Sequence, residues 1–113
     1  MAKLYVLAWS VTDNAVDREE RRRKLSYAAF RGAPAWSGST KMVMLRSNEA
    51  PIDLVKRVGT HLRDGDFLIV FDSESNVAYY AGNFVDEDGF EALGIETTMV
   101  PLPLERAPTT DGV

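Results

Sequence analysis

Two short stretches of this chain are apolar on both of their alternating faces. Residues 4–9 run Leu4, Tyr5, Val6, Leu7, Ala8, Trp9, and residues 67–71 run Phe67, Leu68, Ile69, Val70, Phe71. A strand turns successive side chains to opposite sides of its sheet, so runs of this kind describe strands covered on both sides. With 113 residues the chain has room for one core and not for two. The cover for the second face must therefore come from a few remaining elements or from outside the chain.

The spacing along the rest of the sequence predicts those elements. Strands are expected near 3–11, 36–46, 66–72 and 76–84, and helices near 15–30 and 49–63. Thr12, Asp13 and Asn14 supply turn and cap chemistry before the first helix, and Gly32 and Pro34 stop it. In the second strand Lys41 to Leu45 is the firm part, and Gly38 marks a bend or bulge. Ser47 and Asn48 are placed to cap the second helix, whose buried stripe is Leu54, Val55, Val58 and Leu62. Asp64-Gly65-Asp66 ends it. Residues 86–94 hold a short helix and 97–100 a short fifth strand. Residues 1–100 read as one domain and 101–113 as a disordered or draped tail. The order reads as βαββαβ plus a short C-terminal strand. That is an α+β, ferredoxin-like sandwich: a four-stranded antiparallel sheet with two helices on one face. Its first and third strands lie side by side in the middle, and these are the two doubly apolar strands. The simplest cover for the face away from the helices is a second copy of the chain, giving a homodimer.

Charge and composition narrow the function classes. The net charge of −4 repels nucleic acid overall, so only a local basic patch would bind it. There is no cysteine, which excludes disulfides, thiolate metal sites and a cysteine nucleophile. No apolar run approaches the ~20 residues of a membrane span. The first residues lack the features of a signal peptide, so a cytoplasmic protein is expected.

Few motifs carry chemistry. Arg21-Arg22-Arg23-Lys24 spreads around its helix rather than forming one face. Asp17, Glu19 and Glu20 stand four residues before Arg21, Arg23 and Lys24, which predicts a self-neutralised helix surface. His61, the one histidine, has Asp64 at i+3 but no nucleophile and reads as a surface residue. In the antiparallel arrangement the end of the first strand lies near the start of the third. Asp13 is thereby brought towards Asp64 and Asp66, a set of oxygen ligands suited to a hard cation such as Mg or Mn. The competing reading makes all three turn and cap residues. Asp86, Glu87, Asp88 and Glu91 read as an acid-rich helix start. No phosphate-cradling glycine loop, nucleophile elbow or dinucleotide fingerprint occurs. The methionines, Met42, Met44 and Met99 among them, read as core or interface filler.

One stretch resembles a known group. Ala35-Trp36 through Ser39-Thr40, the strand Lys41 to Leu45, Asn48-Glu49-Ala50-Pro51 opening a Leu/Val-striped helix, and His61-Leu62-Arg63-Asp64-Gly65-Asp66 before an apolar strand are similar to the small SinR-like proteins. Those resemble the CRISPR-associated ferredoxin-like nucleases and related toxin RNases. The resemblance implies a ferredoxin-like dimer with a C-terminal strand reaching towards the partner. The nuclease relatives carry an aspartate at the end of the first strand. Here that strand ends Ala8-Trp9-Ser10-Val11, with Ser10 in the acid's place and Asp13 three residues later. The expectation is thus a non-catalytic dimeric module acting through protein contacts. The alternative is a metal-dependent nuclease of RNA or DNA using Asp13 as its catalytic acid. Asp13, Asp64 and Asp66 would hold the metal, and Arg18, Arg22 and Arg31 would contact phosphates. A further alternative is a small-ligand sensor with its pocket at the dimer interface.

Overall fold

The computed structural model describes residues 2–11, 15–30, 35–39, 41–83 and 87–102. The elements are β1 (Lys3–Ser10), α1 (Ala15–Phe30), β2 (Ala35–Ser39), β3 (Met42–Ser47), α2 (Pro51–Gly59), β4 (Phe67–Asp72), β5 (Val77–Gly82), α3 (Glu87–Ala92) and β6 (Glu96–Met99). The fold is α+β, with one open sheet in the order β2-β3-β1-β4-β5-β6. The sheet thus has six strands, not the expected four. The expected second strand is in fact two, β2 and β3, paired antiparallel, and their register shifts between Trp36 and Ser39, around Gly38. Residues 3–72 alone therefore run strand, helix, strand, strand, helix, strand. The expected fourth strand, β5, falls outside that run, and the expected C-terminal strand, β6, joins it in parallel.

The two doubly apolar strands are neighbours, as expected. β1 and β4 pair antiparallel in the middle of the sheet, with Ser10 opposite Phe67 and Tyr5 opposite Asp72. Their alternation sorts cleanly by burial. Tyr5, Leu7 and Trp9 are buried together with Leu68 and Val70, under Leu25 and Ala29 of α1 and Leu54, Val55 and Val58 of α2. Val43 and Leu45 extend this layer across β3, and Ala81 across β5. The intervening residues point to the other side of the sheet.

Helix α2 is shorter than the 49–63 read from the sequence: Pro51 fixes its first turn, and it ends at Gly59 with Thr60 as C-cap. Its N-cap is Ala50, without a side-chain cap, so neither Ser47 nor Asn48 caps the helix. Ser47 instead bonds Glu49: its Oγ accepts from the Glu49 N–H at 3.1 Å and donates to Oε1 at 2.9 Å. Past β6, Leu102 packs against the core on the helix side, so close to Gly59 that a Cβ there would collide with it. The remaining tail, 103–113, lies outside the described residues.

The β4–β5 turn is built on Asp72. Its Oδ1 accepts from the N–H groups of Glu74 at 3.0 Å and Ser75 at 3.5 Å, and its Oδ2 accepts from Lys3 Nζ at 3.3 Å. Burial works against the charge of Asp72, but the bonds from Glu74, Ser75 and Lys3 outweigh it and hold the carboxyl below its ordinary pKa. The contribution is therefore present above the unfolded carboxylate pKa and disappears as pH falls through the lower folded value. Asp72→Asn should cost about 1 kcal/mol at neutral pH, and its stability should decline less steeply than wild type as pH falls below the ordinary carboxylate pKa, as measured by urea unfolding at successively lower pH.

Gly82 closes β5 at φ +90°, with its Cα facing the Asp66 carbonyl so closely that no Cβ fits. Gly82→Ala should destabilise by roughly 1–3 kcal/mol, read as a lower urea midpoint at unchanged slope.

Candidate functional site

The side of the sheet away from the helices is a continuous apolar surface. The pairing register sets its side chains in rows across the strands. One row runs Trp36, Met44, Val6, Phe71, Ala78, Thr97, and the next runs Met42, Ala8, Ile69, Tyr80, Met99. Neighbours in a sheet shield one another, so most of these residues are half-buried, and no helix among the described residues packs over this face. At the two edges that shielding ends, and Trp36 is 54% and Met99 61% exposed. Arg46, opposite Leu4 at one end, is the one charged side chain on this face among the described residues.

The acids expected to bind metal are not equivalent. Asp66 is fully buried beside β4, and its carboxylate is engaged by the Arg21 guanidinium of α1. The same Oδ2 accepts from the Arg63 N–H at 2.8 Å. Its backbone is also used: the N–H donates to the Arg63 carbonyl at 3.0 Å, and the carbonyl accepts from the Asn83 N–H at 2.9 Å. Asp64 is exposed and borders a shallow cavity with Gly65, Gly82 and Asn83. Asp13 lies outside the described residues. Among the described residues no three His, Asp or Glu side chains come together to hold a metal ion.

The helix surface departs from simple four-residue pairing. Glu20 and Lys24 do pair, at 3.6 Å. Glu19 turns to Arg22 at 3.6 Å, and Asp17 reaches Arg63 at 3.6 Å. Arg21 leaves the surface altogether for Asp66, the functional use the sequence reading missed. Arg18 and Arg22 are partly buried on α1, while Arg31 lies outside the described residues.

A second polar network fixes how α1 and α2 sit against each other. Glu49 takes a two-pronged pair from Arg57, at 2.8 Å from Nε and 2.9 Å from Nη2. Arg57 also donates to the carbonyls of Ala28, through Nη1, and Ala29, through Nη2 at 3.2 Å. These are last-turn carbonyls of α1 that the helix itself leaves open. Tyr5 completes the network, its hydroxyl donating to the Glu49 carbonyl at 2.7 Å. Burial, then the charges of Asp72, Tyr79 and Glu49, push the Tyr5 pKa up to about 12, so it stays a neutral donor.

Between the two helices this leaves a cleft. A cavity of ≈ 810 Å³ is lined by Glu20, Arg23, Lys24, Tyr27, Ala28, Arg57, Thr60 and His61. A smaller one of ≈ 240 Å³ adjoins it, lined by Arg21, Lys24, Thr60, His61 and Arg63. His61 is exposed, as the sequence indicated, but it stands where the two cavities meet.

Comparison of the chain with protein-family models, curated proteins and solved structures found no match. Among the described residues no helix is long and apolar enough to cross a membrane.

The Arg21–Asp66 pair is nearly free of solvent, with side-chain exposures of 6% and 0%. Asp66→Asn should cost roughly 3–5 kcal/mol, because it strands a buried guanidinium. Adding Arg21→Met to that variant should recover part of the loss, and a double-mutant cycle by urea unfolding measures the coupling.

Proposed function

We propose that this chain is a non-catalytic dimeric interaction module whose open sheet face receives a second copy. The observation that carries the reading is the face itself: largely apolar across six strands, with Trp36, Tyr80, Phe71 and three methionines on it, and among the described residues charged only at Arg46. Those are the residue types that interface centres favour. Six strands spaced about 4.8 Å apart and some six residues long give roughly 500 Å² of face before corrugation is counted. An apolar patch of that size lies towards the upper end of what monomers expose, where such patches often serve as interaction sites. It is close to the ~600 Å² per partner at which specific interfaces begin.

The tail is the other possible cover, and the position of Leu102 favours the second copy. Leu102 packs on the helix side, so the chain leaves β6 heading away from the open face. On the same reading, β1 to β4 with α1 and α2 form a ferredoxin-like unit. Its support is the strand order β2-β3-β1-β4 with both helices packed over one face. β5 and β6 then widen the unit at one edge. The SinR-like resemblance fits a dimer of such units, working in the cytoplasm through protein contacts.

Sedimentation velocity at micromolar concentration tests the proposal. Wild type should run as a dimer. Val6→Glu and Ile69→Lys, at the centre of the face, should each raise the dimer Kd at least ~100-fold by burying an unpaired charge. Both should keep the wild-type circular dichroism spectrum. A monomeric wild type would refute the second copy. Mg- or Mn-dependent cleavage of RNA or DNA that disappears in Asp13→Ala would refute the non-catalytic reading.

A further inference from the structure

We propose that the cleft between α1 and α2 is a binding site for a small phosphorylated aromatic ligand of the nucleoside monophosphate class. The two cavities that form it meet at Lys24, Thr60 and His61 and differ in character. The larger, ≈ 810 Å³, falls within the ~300–1,000 Å³ of ordinary small-molecule sites. Its apolar platform is Tyr27, 72% exposed, whose ring is tilted at 55° against Phe30 with centroids 5.8 Å apart. An exposed tyrosine braced by a second ring offers a flat surface on which a base stacks.

The smaller cavity is a cationic basin. Five of the chain's 13 Lys and Arg residues line the two cavities together, in a protein of net charge −4. Among the described residues Glu20 is the one acid in either lining, and it pairs with Lys24 there. The acids that balance Arg21, Arg57 and Arg63 are Asp66, Glu49 and Asp17, and none of the three lines a cavity. Lys24, an exposed ammonium paired with Glu20 at 3.6 Å, and Arg63, paired with Asp17 at 3.6 Å, line the basin beside Thr60, whose hydroxyl donates to the Arg57 carbonyl at 2.9 Å, and the exposed His61 ring. The Lys24 ammonium from α1 and the Arg63 guanidinium from the turn after α2 are the charged donors from which a phosphate would accept. Platform and basin adjoin, so the ligand carries its ring and its phosphate on one small skeleton.

The cleft lies on the helix side, so its occupancy can be measured whatever the oligomeric state. Isothermal titration of the full chain with AMP, UMP, adenosine and inorganic phosphate tests the site. AMP and UMP should bind saturably, and adenosine and phosphate at least ~10-fold more weakly. Lys24→Met and Tyr27→Ala alter exposed side chains and should leave the unfolding midpoint in place while weakening AMP at least ~10-fold each. No saturable signal with AMP would overturn the proposal. So would AMP binding that survives both substitutions, or phosphate alone binding as tightly as AMP.

Discussion

The buried pair of Arg21 and Asp66 is the contact on which the arrangement of the other elements depends. Apolar layers gain from area and are indifferent to small slides of one across the other. An ion pair taken out of water is not, because a displaced partner leaves a charge without compensation. Arg21 comes from the middle of α1 and Asp66 from the turn that launches β4, so the pair fixes the helix along the sheet. Asp66 also binds the turn at Arg63 and, through its carbonyl, the end of β5 at Asn83. One residue thus sets α1, β4 and β5 together. The Glu49–Arg57 network does the same at the opposite end of the sheet, where Tyr5, Ser47 and the last turn of α1 converge. Between the two latches the apolar layer is mostly Leu, Val and Ala, with Trp9 among them.

These latches explain what the sequence revealed and what it concealed. The central strands were legible because their double-sided apolar runs have few other uses in a chain this short. The second helix was legible from Leu54, Val55 and Val58. The hairpin inside 35–47 was hidden because the stretch joining β2 to β3 holds Thr40 and Lys41, with no Asn-Gly or Asp-Gly pair to mark it. Missing that turn shifted the count of every later strand by one, although the pairing of 3–11 with 66–72 was still right. Arg21 was misjudged for a different reason. Its local acid, Asp17, sits at ideal helical spacing, but its actual partner is 45 residues away. Local patterning cannot register a contact of that range. For Asp66 the sequence offers both a metal-ligand and a turn reading, and its backbone does serve the turn. That its carboxylate also answers a helix appears only when the layers are assembled.

The same assembly divides the surface into two chemically different sides. The sheet side is apolar because β1 and β4 could not place all their large residues under two helices. The helix side is polar, and its arginines are bound to acids set behind the cleft rather than in it. A chain with net negative charge thereby keeps a small positive basin, while the opposite face carries almost no charge. The proposed association through the sheet and the proposed recognition of an anion between the helices would make no competing demands on the same residues.

The edges of the sheet bear on which part of it a second copy would meet. An open sheet can associate by adding strands at an edge or by stacking its face. Both edges here are poor templates. β2 has five residues with a register shift between Trp36 and Ser39, and β6 has four residues. Short or irregular edges offer few backbone groups in line, which discourages edge-to-edge growth. The face offers the opposite: rows of aromatic and branched side chains running across the six strands, and exposed Trp36 and Met99 at its margins. Backbone hydrogen bonding at the edge would satisfy a handful of groups and leave the apolar rows in water. Stacking removes those rows from water at once. The balance of the two terms therefore favours a face-to-face pair, closed by its own symmetry, over an open chain of sheets.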